Sequence, residues 1–480
     1  MKKAKTFFVT TPIYYINDVP HIGHAYATFA ADILARFNRA LGNKTFFLTG
    51  TDENSQKTVD AAEKAGKNID IYTDEIAKQW KSTWKKLGIS NDDFIRTTEE
   101  RHKRTVGEIF EKISKNGDLY KGKYKGLYCV GHEAFLKEDD LDEKGFCPDH
   151  KTKPDHIIEQ NYFFKLSNYQ KQLLEYFKKN PGFVQPQERY NEVVSFIKSG
   201  LQDISVTRET QKWGIPAPND PKQVVYVWFD ALINYISADP KKWPADIHII
   251  GKDILRFHAV IWPAMLLSAG YKLPKKVFAH GFFTVDGTKI SKSLGNAIDP
   301  IAISEKYGVE ALRHYLFKEI PFGNDGDFSF KRFEEVYNAD LANGLGNLVA
   351  RVAKLCEKSN LNFHIEPATN YSKKSSYLEH LETLNFQGAL EEIWHYYRQL
   401  DRYLEEKKPW KIKDESKLKE VLDHAVSEIL STNKLIEPFL PVAAGKISKQ
   451  FAGPKIKISM PLFPRISTSK KAVDILSKTN

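Results

Sequence analysis

The stretch TPIYYINDVPHIGHAYATFAADILARF, residues 11–37, links a predicted β-strand to a predicted α-helix through a short polar turn. The run TFFVT before it, residues 6–10, is typical of a buried strand. In the turn, Asn17 or Asp18 is suited to cap the helix, and Pro20 suits its first turn. The stretch therefore predicts a strand that feeds directly into a helix, as in the first unit of a parallel α/β sheet.

Two histidines, His21 and His24, lie three residues apart around Gly23 at the predicted start of this helix. Backbone amides, the positive end of the helix dipole and two imidazoles that face one spot suit a polyphosphate. Taken alone, the pair has a simpler interpretation as two surface or core histidines that happen to lie close in sequence. A second motif bears on the choice between these interpretations.

The second motif is FFTVDGTKISKSLGN, residues 282–296, in which Lys289 and Lys292 lie among glycines and serines. Small residues let such a loop move, and its two lysines are long enough to reach a pyrophosphate. By itself the loop also has the interpretation of a solvated lysine turn. The two motifs together favour a nucleotide site.

Three other short apolar runs predict buried parallel strands: KTFFLTG (44–50), DIHIIG (246–251) and KVFAHG (276–281). Helical patterns separate them, so the predicted fold class is α/β with a doubly wound, Rossmann-type parallel sheet. Residues 116–222 differ in character and predict an insertion that splits the sheet domain. From about residue 333, apolar residues at helical spacing predict an α-helical bundle.

Hydrophobic content, net charge and cysteine count indicate which class of protein this chain belongs to. The chain has 480 residues, 41% of them hydrophobic, and no apolar run approaches the roughly 20 residues that span a bilayer. Its formal charge of +10, from 71 basic against 61 acidic residues, suits a polyanion partner such as RNA. Only three cysteines occur, so a cytoplasmic location without a disulfide framework is expected. The start of the chain predicts a strand rather than a signal peptide.

HIGH (21–24) after the first strand and KISKS (289–293) after the last one resemble the paired signature of class I aminoacyl-tRNA synthetases. From Lys5 to about Ile466, further stretches resemble the methionyl-tRNA synthetase family in order and spacing: FLTGTDENSQK, VVYVWFDALINYIS, HIIGKDILRFHAVIWPAML, FGNDGDFS, NADLANGLGNLVAR and PLFPRI. The resemblance implies a methionine–tRNA ligase. Such an enzyme activates L-methionine with ATP, which arrives as its Mg²⁺ complex, and transfers it to the 3′ end of tRNA(Met).

The resemblance also implies roles for individual residues, with Asp52 expected to bind the substrate ammonium. The methionine-binding set is Ile13, Tyr15, Asp52, Trp228, Ala231, Leu232, Tyr235, Ile254, His258 and Trp262. The catalytic set is His21, His24, Lys289 and Lys292. The ATP-binding set adds Gly23, Gly251, Asp253, His280 and Gly281 to those four. The anticodon-binding set is Asn347, Arg351 and Trp410. Without the resemblance, Asp52 has the interpretation of a helix cap, and the aromatic residues that of core residues.

Two short pairs of residues with metal-ligand chemistry lie in the insertion: Cys129 with His132, and Cys147 with His150. Nitrogen and sulfur ligands at this spacing are typical of tetrahedral zinc, so one structural Zn²⁺ is expected. The family more often has cysteine where this chain has His132. The alternative is a metal-free knob held by aromatic residues, namely Tyr120, Tyr124, Tyr128 and Phe146.

The expected organisation has five segments. They are the first half of the catalytic sheet domain (1–115), the insertion with the zinc knuckle (116–222), the second half with the KISKS loop (223–300), a linking region that contacts the tRNA stem (301–335) and an α-helical anticodon-binding domain (336–480). The insertion is too short for the editing domain of the isoleucine, valine and leucine synthetases. No oligonucleotide-binding module follows PLFPRI, so a monomer is expected.

Two other functions stay open at this point. A small-molecule adenylyltransferase shares the HIGH-type fold, but it has no use for a helical domain that carries Trp410. A catalytically silent tRNA-binding relative has no use for the intact histidines and lysines of the two signatures. Pyrophosphate exchange that depends on methionine separates both from the leading hypothesis.

Overall fold

The computed structural model describes residues 5–129, 134–136, 138, 141–148, 151–289, 298–364 and 375–466. The strands are β1 (Thr6–Tyr15), β2 (Lys44–Asp52), β3 (Asp93–Arg96), β4 (Leu119–Cys129), β5 (Ala134–Leu136), β6 (Asp155–Phe164), β7 (Val184–Gln185), β8 (Ile204–Ser205), β9 (Thr207–Arg208), β10 (Pro216–Ala217), β11 (Asp220–Val225), β12 (Ile247–Gly251), β13 (Val277–His280), β14 (Phe283–Val285), β15 (Thr288–Lys289) and β16 (Gly326–Phe328).

The α-helices are α1 (Ile22–Ala40), α2 (Gln56–Lys64), α3 (Ile69–Lys86), α4 (Glu100–Lys115), α5 (Gln170–Lys179), α6 (Gln187–Lys198), α7 (Val227–Leu232), α8 (Asn234–Ser237), α9 (Trp262–Ser268), α10 (Pro300–Tyr307), α11 (Val309–Glu319), α12 (Phe330–Val336), α13 (Asn347–Ser359), α14 (Ser375–Glu382), α15 (Phe386–Lys407), α16 (Glu415–Ile436) and α17 (Pro441–Gln450). Two π-helical segments, Phe257–Ile261 and Tyr337–Gly346, precede α9 and α13. Within the described ranges, no helix combines the length and the apolar content that crossing a lipid bilayer requires.

The chain divides into two compact units. Unit 1 consists of Met1–Pro20 and Leu41–His280, and unit 2 consists of His21–Ala40 and Gly281–Asn480. Helix α1 therefore belongs to unit 2, although the strand before it belongs to unit 1. The five-segment division expected from the sequence stays a prediction.

A six-stranded sheet in the order β3-β2-β1-β12-β13-β7 forms the centre of unit 1. Every neighbouring pair in it is parallel, so the α/β class and the parallel sheet predicted from the sequence are confirmed. The four predicted runs are β1, β2, β12 and β13. Because β1 lies between β2 and β12, the order of strands reverses at this point. In open α/β sheets, ligands bind at the carboxyl ends of the strands beside such a reversal.

The strands of this sheet are apolar because both faces are covered. Val9 in β1, Phe47 in β2 and Ile249 in β12 are all fully buried. The residues between β4 and β11 form two small antiparallel sheets, in the orders β5-β4-β6-β8 and β10-β11-β9. The chain also returns to the main sheet within this region, since β7 pairs in parallel with β13.

A buried ion pair holds helix α1 inside unit 2. The carboxylate of Asp32, which is fully buried, accepts a hydrogen bond from Nη1 of Arg313 at 2.7 Å. Arg313 also donates to the carbonyl oxygens of Phe439 at 2.9 Å and Pro438 at 3.0 Å. A buried guanidinium needs such partners to offset its loss of hydration. Arg313 therefore joins α1 to the turn between α16 and α17.

The C-terminal region is helical, as the sequence predicts. The segments with helical periodicity are α12 to α13, α15 and α16 to α17. The described chain ends in a short strap at 463–466, which is tied to the π-helical segment that begins at Tyr337. Tyr337 donates to the carbonyl of Pro464 at 2.9 Å, and Asn338 donates to the carbonyl of Ile466 at 3.0 Å.

The predicted start of α1 is wrong. The helix begins at Ile22, so neither Asn17 nor Asp18 caps it. The turn before it is instead held by side chains of α3 within unit 1. Tyr72 donates to the carbonyl of Ile16 at 3.2 Å, and Trp80 donates from Nε1 to the carbonyl of Asp18 at 3.0 Å. These bonds fix the turn in a non-helical conformation, so the helix begins only at Ile22.

Candidate active site

The carboxylate expected to bind an ammonium, Asp52, is the last residue of β2 and is only 3% exposed. Its register partner on β1 is Tyr15, the last residue of that strand. The ammonium of Lys57 lies 4.5 Å from the centre of the Tyr15 ring. Ile13 lies two residues before Tyr15 on the same strand. The end of β2 thus presents a buried acceptor of the kind that forms a charge-assisted hydrogen bond with a cation.

Aromatic rings from three segments meet beside this carboxylate. Trp228 on α7 stacks on Phe257, with ring centroids 3.9 Å apart and an interplanar angle of 12°. Tyr15 meets Trp228 edge-on at 6.2 Å. The indole Nε1 atoms of Trp228 and Trp262 are buried, and no described residue accepts a hydrogen bond from them. These rings form a wall that is mainly apolar, although it includes two indole N–H donors.

A second part of the wall is a hydrogen-bonded pair, Tyr235 and His258. The Tyr235 hydroxyl lies 2.7 Å from Nε2 of His258, and Nδ1 of His258 lies 3.0 Å from the carbonyl of Ile254. A carbonyl only accepts, so Nδ1 carries the ring proton and Nε2 accepts from Tyr235. Burial lowers the pKa of His258 to about 4. The ring is therefore neutral near pH 7, and it fixes the direction of the Tyr235 hydroxyl.

The remaining members of the expected methionine-binding set lie on the same elements. Ala231 and Leu232 are buried on α7, and Trp262 is fully buried at the start of α9. Ile254 lies between β12 and the π-helical segment Phe257–Ile261. Segments of π-helix are frequent at functional sites, because the extra residue per turn displaces side chains from the regular helical face. The whole set belongs to unit 1.

The other expected residues of unit 1 lie at the carboxyl ends of the next two strands. Gly251 ends β12 and pairs in register with His280, which ends β13. A Cβ at position 251 would lie 2.4 Å from Oδ1 of Asp253, so the carboxylate of Asp253 occupies the space that glycine leaves. His280 is buried, whereas Asp253 is exposed. Gly281, the first residue after β13, begins the second segment of unit 2.

In unit 2, the rings of His21 and His24 accept backbone N–H groups at the start of helix α1. The Gly23 N–H donates to Nδ1 of His21 at 3.1 Å, and the His21 N–H donates to Nδ1 of His24 at 3.2 Å. The rings stack with centroids 3.7 Å apart. Because each Nδ1 accepts a hydrogen bond, the proton of each neutral ring is on Nε2. Two N–H donors are thus fixed at the positive end of the helix dipole.

Desolvation also shifts the pKa of His21. It lowers the pKa of His21 to about 4, so the ring is neutral near pH 7 and donates through Nε2 without adding a full positive charge. A Cβ at position 23 would lie 3.0 Å from Cε1 of His21, so glycine leaves room for the ring to fold back over the helix end. Of the signature lysines, Lys289 ends β15, and Lys292 lies outside the described residues.

The expected anticodon-binding residues lie together in unit 2. Asn347 opens α13, and Arg351 follows one turn later on the same helix. Arg351 donates to Asp401 at 2.9 Å and to Glu405 at 2.6 Å. Its guanidinium lies 5.0 Å from the ring centre of Trp410, and Trp410 is 47% exposed. An accessible indole beside a guanidinium has the chemistry that stacks on and hydrogen-bonds to an unpaired base.

The metal prediction is only partly within the described residues. Cys129 ends β4 and is buried, as is Cys147. His132 and His150 lie outside the described residues. Among the residues that are described, no group of three or more histidine, cysteine, aspartate or glutamate side chains could hold a metal ion. The zinc site therefore stays a prediction.

Sequence reasoning missed a layer of buried polar residues behind the pocket. Glu53, next to Asp52, is fully buried and accepts from Arg96 at 2.7 and 2.9 Å. Asp230 and His102 are also fully buried, with Nε2 of His102 2.5 Å from Oδ1 of Asp230. The only signal in the sequence is a charged residue within an otherwise apolar run, as in VWFDAL, and that signal is weak on its own.

Two buried histidines predict that the fold is sensitive to acid. Burial lowers the pKa of His258 to about 4 and that of His248 well below its usual value. An unfolded histidine titrates near pH 6.5. As the pH falls from 6.5 towards 4, the unfolded state therefore binds protons that the folded state does not, and the free energy of unfolding falls. We expect the melting temperature to drop by roughly 3–8 °C between pH 7 and pH 5.

Thermal unfolding followed by circular dichroism measures this drop. The variant His258→Gln should show a shallower dependence on pH, because one of the histidines with a lowered pKa is gone. The variant His395→Gln, at an exposed position of α15, should keep the slope of the parent chain. A melting temperature that rises on acidification from pH 7 to 5 would contradict the prediction.

Comparison with known proteins agrees with the fold. The chain matches the family model described as tRNA synthetases class I (M) over residues 7–157 and 146–353. This match and the parallel sheet define it as a class I aminoacyl-tRNA synthetase. A methionine–tRNA ligase of Thermotoga maritima is 44% identical over an alignment 470 positions long, which covers 92% of this chain and 75% of that relative. The chain belongs to the methionyl-tRNA synthetase family, and its activity is that of a methionine–tRNA ligase.

Other relatives agree. A methionine–tRNA ligase of a Nostoc species is 44% identical over an alignment 478 positions long, which covers 94% of this chain and 90% of the relative. The structure of Mycobacterium tuberculosis methionyl-tRNA synthetase in complex with methionyl-adenylate has a TM-score of 0.89 at 36% identity, covering 96% of this chain and 100% of that one. The apo form of the same enzyme has a TM-score of 0.81 at 34% identity, covering 97% and 99%.

Proposed function

We propose that unit 1 binds L-methionine with its ammonium on Asp52 and its thioether among the rings of Trp228, Tyr235 and Trp262. A single observation carries this proposal: one buried carboxylate lies at the end of β2, beside a wall that is otherwise aromatic and apolar. A free α-amino acid needs one acceptor for its ammonium. A thioether needs polarisable surroundings, which aromatic rings supply. The neutral His258 keeps the wall uncharged.

In this proposal, both hydrogen-bond donors and one carboxylate acceptor bind ATP. The Nε2–H donors of His21 and His24 and the helix dipole behind them suit phosphate oxygens, as do the signature lysines Lys289 and Lys292. The carboxylate of Asp253 would repel a triphosphate, so we assign it to a ribose hydroxyl, which can donate to it. Gly251, His280 and Gly281 are the other residues that we propose for ATP binding. Mg²⁺ would accompany the triphosphate and neutralise part of its charge.

The chemistry then needs no covalent intermediate on the enzyme. A carboxylate oxygen of methionine attacks the α-phosphorus, the bond to the β-phosphate oxygen breaks, and pyrophosphate leaves with the electron pair. The Nε2–H donors of His21 and His24 stabilise the negative charge that develops on the phosphate oxygens. In the second step, a ribose hydroxyl at the 3′ end of tRNA(Met) attacks the methionyl carbonyl and loses its proton to solvent. The bond between the carbonyl carbon and the phosphate oxygen breaks, and AMP leaves with the electron pair. Positioning and electrostatics account for both steps.

A pyrophosphate-exchange screen over all twenty amino acids tests this function. Methionine should support exchange of labelled pyrophosphate into ATP about 10- to 200-fold better than any other natural amino acid, because a missing or extra group in the pocket changes the binding free energy by roughly 1–3 kcal/mol. Exchange that is independent of the amino acid would favour the adenylyltransferase hypothesis instead. Absence of exchange, with retained binding of tRNA(Met), would favour the silent tRNA-binding relative.

We further propose that Asn347, Arg351 and Trp410 read the anticodon. A base stacked on an indole contributes about 1–3 kcal/mol, so Trp410→Ala should lower kcat/KM for tRNA charging by about 5- to 150-fold. Methionine-dependent exchange should stay within about twofold, because tRNA takes no part in that step. Kinetics of both reactions measure the difference. The matched control is Trp394→Phe, which changes a buried tryptophan of the same region.

The outcome separates recognition from folding. Equal losses in charging and in exchange for Trp410→Ala would mean that the residue only holds the helices together. Raising the salt concentration should weaken tRNA binding by the parent chain, because phosphate contacts release counterions.

The zinc site and the compartment are part of the same proposal. Cys129, His132, Cys147 and His150 would hold one Zn²⁺, since two cysteines and two histidines form a common donor set of structural zinc. The ion would replace a hydrophobic core in this small knob. Three cysteines in 480 residues and a role in protein synthesis agree with a cytoplasmic location.

A further inference from the structure

We infer that Asp230 is a positioning residue, which sets the distance between the ammonium end and the thioether end of the methionine pocket. The inference rests on the pocket assignment proposed above. Asp230 is fully buried on α7, between Trp228 and Ala231, and the reaction described above gives it no role. Its two carboxylate oxygens bind two different parts of unit 1. A single side chain thereby connects the two ends of the pocket.

The first connection leads to the ammonium end. Nδ2 of Asn54 donates to Oδ2 of Asp230 at 2.8 Å and also lies 3.2 Å from the carbonyl of Thr97. Asn54 is the second residue after Asp52, and it is buried as well. The bond therefore fixes helix α7, with Trp228, against the end of β2, with Asp52. Since both bonds are made by one rigid amide, the segment after β2 has little freedom to shift.

The second connection leads through His102, in the first turn of α4. Nε2 of His102 lies 2.5 Å from Oδ1 of Asp230, and because a carboxylate only accepts, Nε2 is the donor. Nδ1 of the same ring lies 2.7 Å from the hydroxyl of Ser237 on α8. Tyr235 lies on this short helix. One imidazole thus braces α7, with Trp228, and α8, with Tyr235, two of the helices that carry the apolar part of the pocket.

This geometry explains why a carboxylate is kept in an apolar interior. Each oxygen of Asp230 receives a hydrogen bond, so the charge does not lack partners. An apolar residue would fill the same space without fixing direction. An asparagine would satisfy only one of the two donors and would present an opposing N–H to the other. Small displacements of binding groups change rates strongly, so such a brace matters for a substrate held at both ends.

The test is the kinetics of pyrophosphate exchange in Asp230→Asn and Ser237→Ala. We expect Asp230→Asn to raise KM for methionine by about 10-fold or more, while KM for ATP stays within about twofold. Ser237→Ala removes one hydroxyl and should raise KM for methionine by about two- to fivefold. In the double variant Asn54→Ala with Asp230→Asn, the loss should be clearly less than the product of the two single losses, because both changes break one bond.

A matched control lies just beyond the C-terminal end of α4, the helix that carries His102. Asp118 is a buried carboxylate that accepts from Ser268 at 2.6 Å, from Asn116 at 2.7 Å and from Tyr169. It follows the last turn of α4, whose 16 residues extend about 24 Å from the turn that carries His102. Asp118→Asn and Ser268→Ala should lower the melting temperature without a selective rise in KM for methionine.

Two outcomes overturn the inference. One is a rise in KM for methionine and ATP by the same factor in Asp230→Asn, which a general loosening of the fold would cause. The other is an unchanged KM for methionine in a variant that melts at the parent temperature. Both are distinct from a failure of the proposed function, because that failure would show as exchange by the parent chain that does not depend on methionine.

Discussion

Replacement of Asp52 by asparagine should lower kcat/KM for methionine in pyrophosphate exchange by about 100- to 1,000-fold. The carboxylate is 3% exposed, so an ammonium bound to it lies largely out of water. Removing one partner of a buried charge pair costs about 2–5 kcal/mol, much of it because the other charge is left without compensation. An asparagine keeps the shape of the side chain but not its charge. KM for methionine should account for most of the loss, since the contact exists before the reaction.

Inhibition by an analogue without the amino group makes this prediction specific. The parent chain should bind methionine far more tightly than 4-(methylthio)butanoate, and Asp52→Asn should lose most of this preference. Asp118→Asn serves as the control, because it removes a buried negative charge elsewhere in unit 1. Should Asp52→Asn retain the full preference for the amino group, another residue binds the ammonium.

Replacement of His24 by alanine should lower kcat for adenylate formation by about 100- to 1,000-fold, with a small effect on KM for methionine. Removal of one donor that stabilises charge in the transition state has an effect of this size. His24 also orders its neighbour, because its Nδ1 accepts the N–H of His21 at 3.2 Å. The loss for the double variant of His21 and His24 should therefore be smaller than the product of the single losses.

Single-turnover formation of adenylate measures kcat for this step directly. His395→Ala, an exposed histidine on α15, should behave as the parent chain does. If His24→Ala raised KM for ATP alone and left kcat unchanged, the histidine would bind the ground state and would not assist the reaction.

The sequence alone allowed the main strands to be predicted, because they are continuous apolar runs that both faces of a parallel sheet require. The strands β3 and β7 could not be predicted, since DFIR and VQ are too short to show a period. The start of α1 was misplaced for a different reason. Asn17 and Asp18 are good caps by composition, but bonds from Tyr72 and Trp80, more than fifty residues further along the chain, hold that turn.

The candidate site also contains features that could be predicted from the sequence and features that could not. His21 could be named from the sequence, because it precedes a recognisable helix, whereas Asp52 was named only through the resemblance to the family. The tautomers of His24 and His258 could not, since they depend on hydrogen bonds to a backbone N–H and to the carbonyl of Ile254. Asp230 was likewise invisible, because its partner Asn54 lies 176 residues away in the sequence.

The bonds of Arg313 set a limit on how the chain can be shortened. Its guanidinium donates hydrogen bonds to Asp32 and to the carbonyl oxygens of Pro438 and Phe439. A chain cut before Pro438 would keep every signature residue of the nucleotide site and the Asp32–Arg313 pair, but it would remove both carbonyl oxygens that accept from Nε and Nη2 of the buried Arg313. Minimal versions of this enzyme must therefore extend at least through Phe439, or replace the charged pair together with the cut.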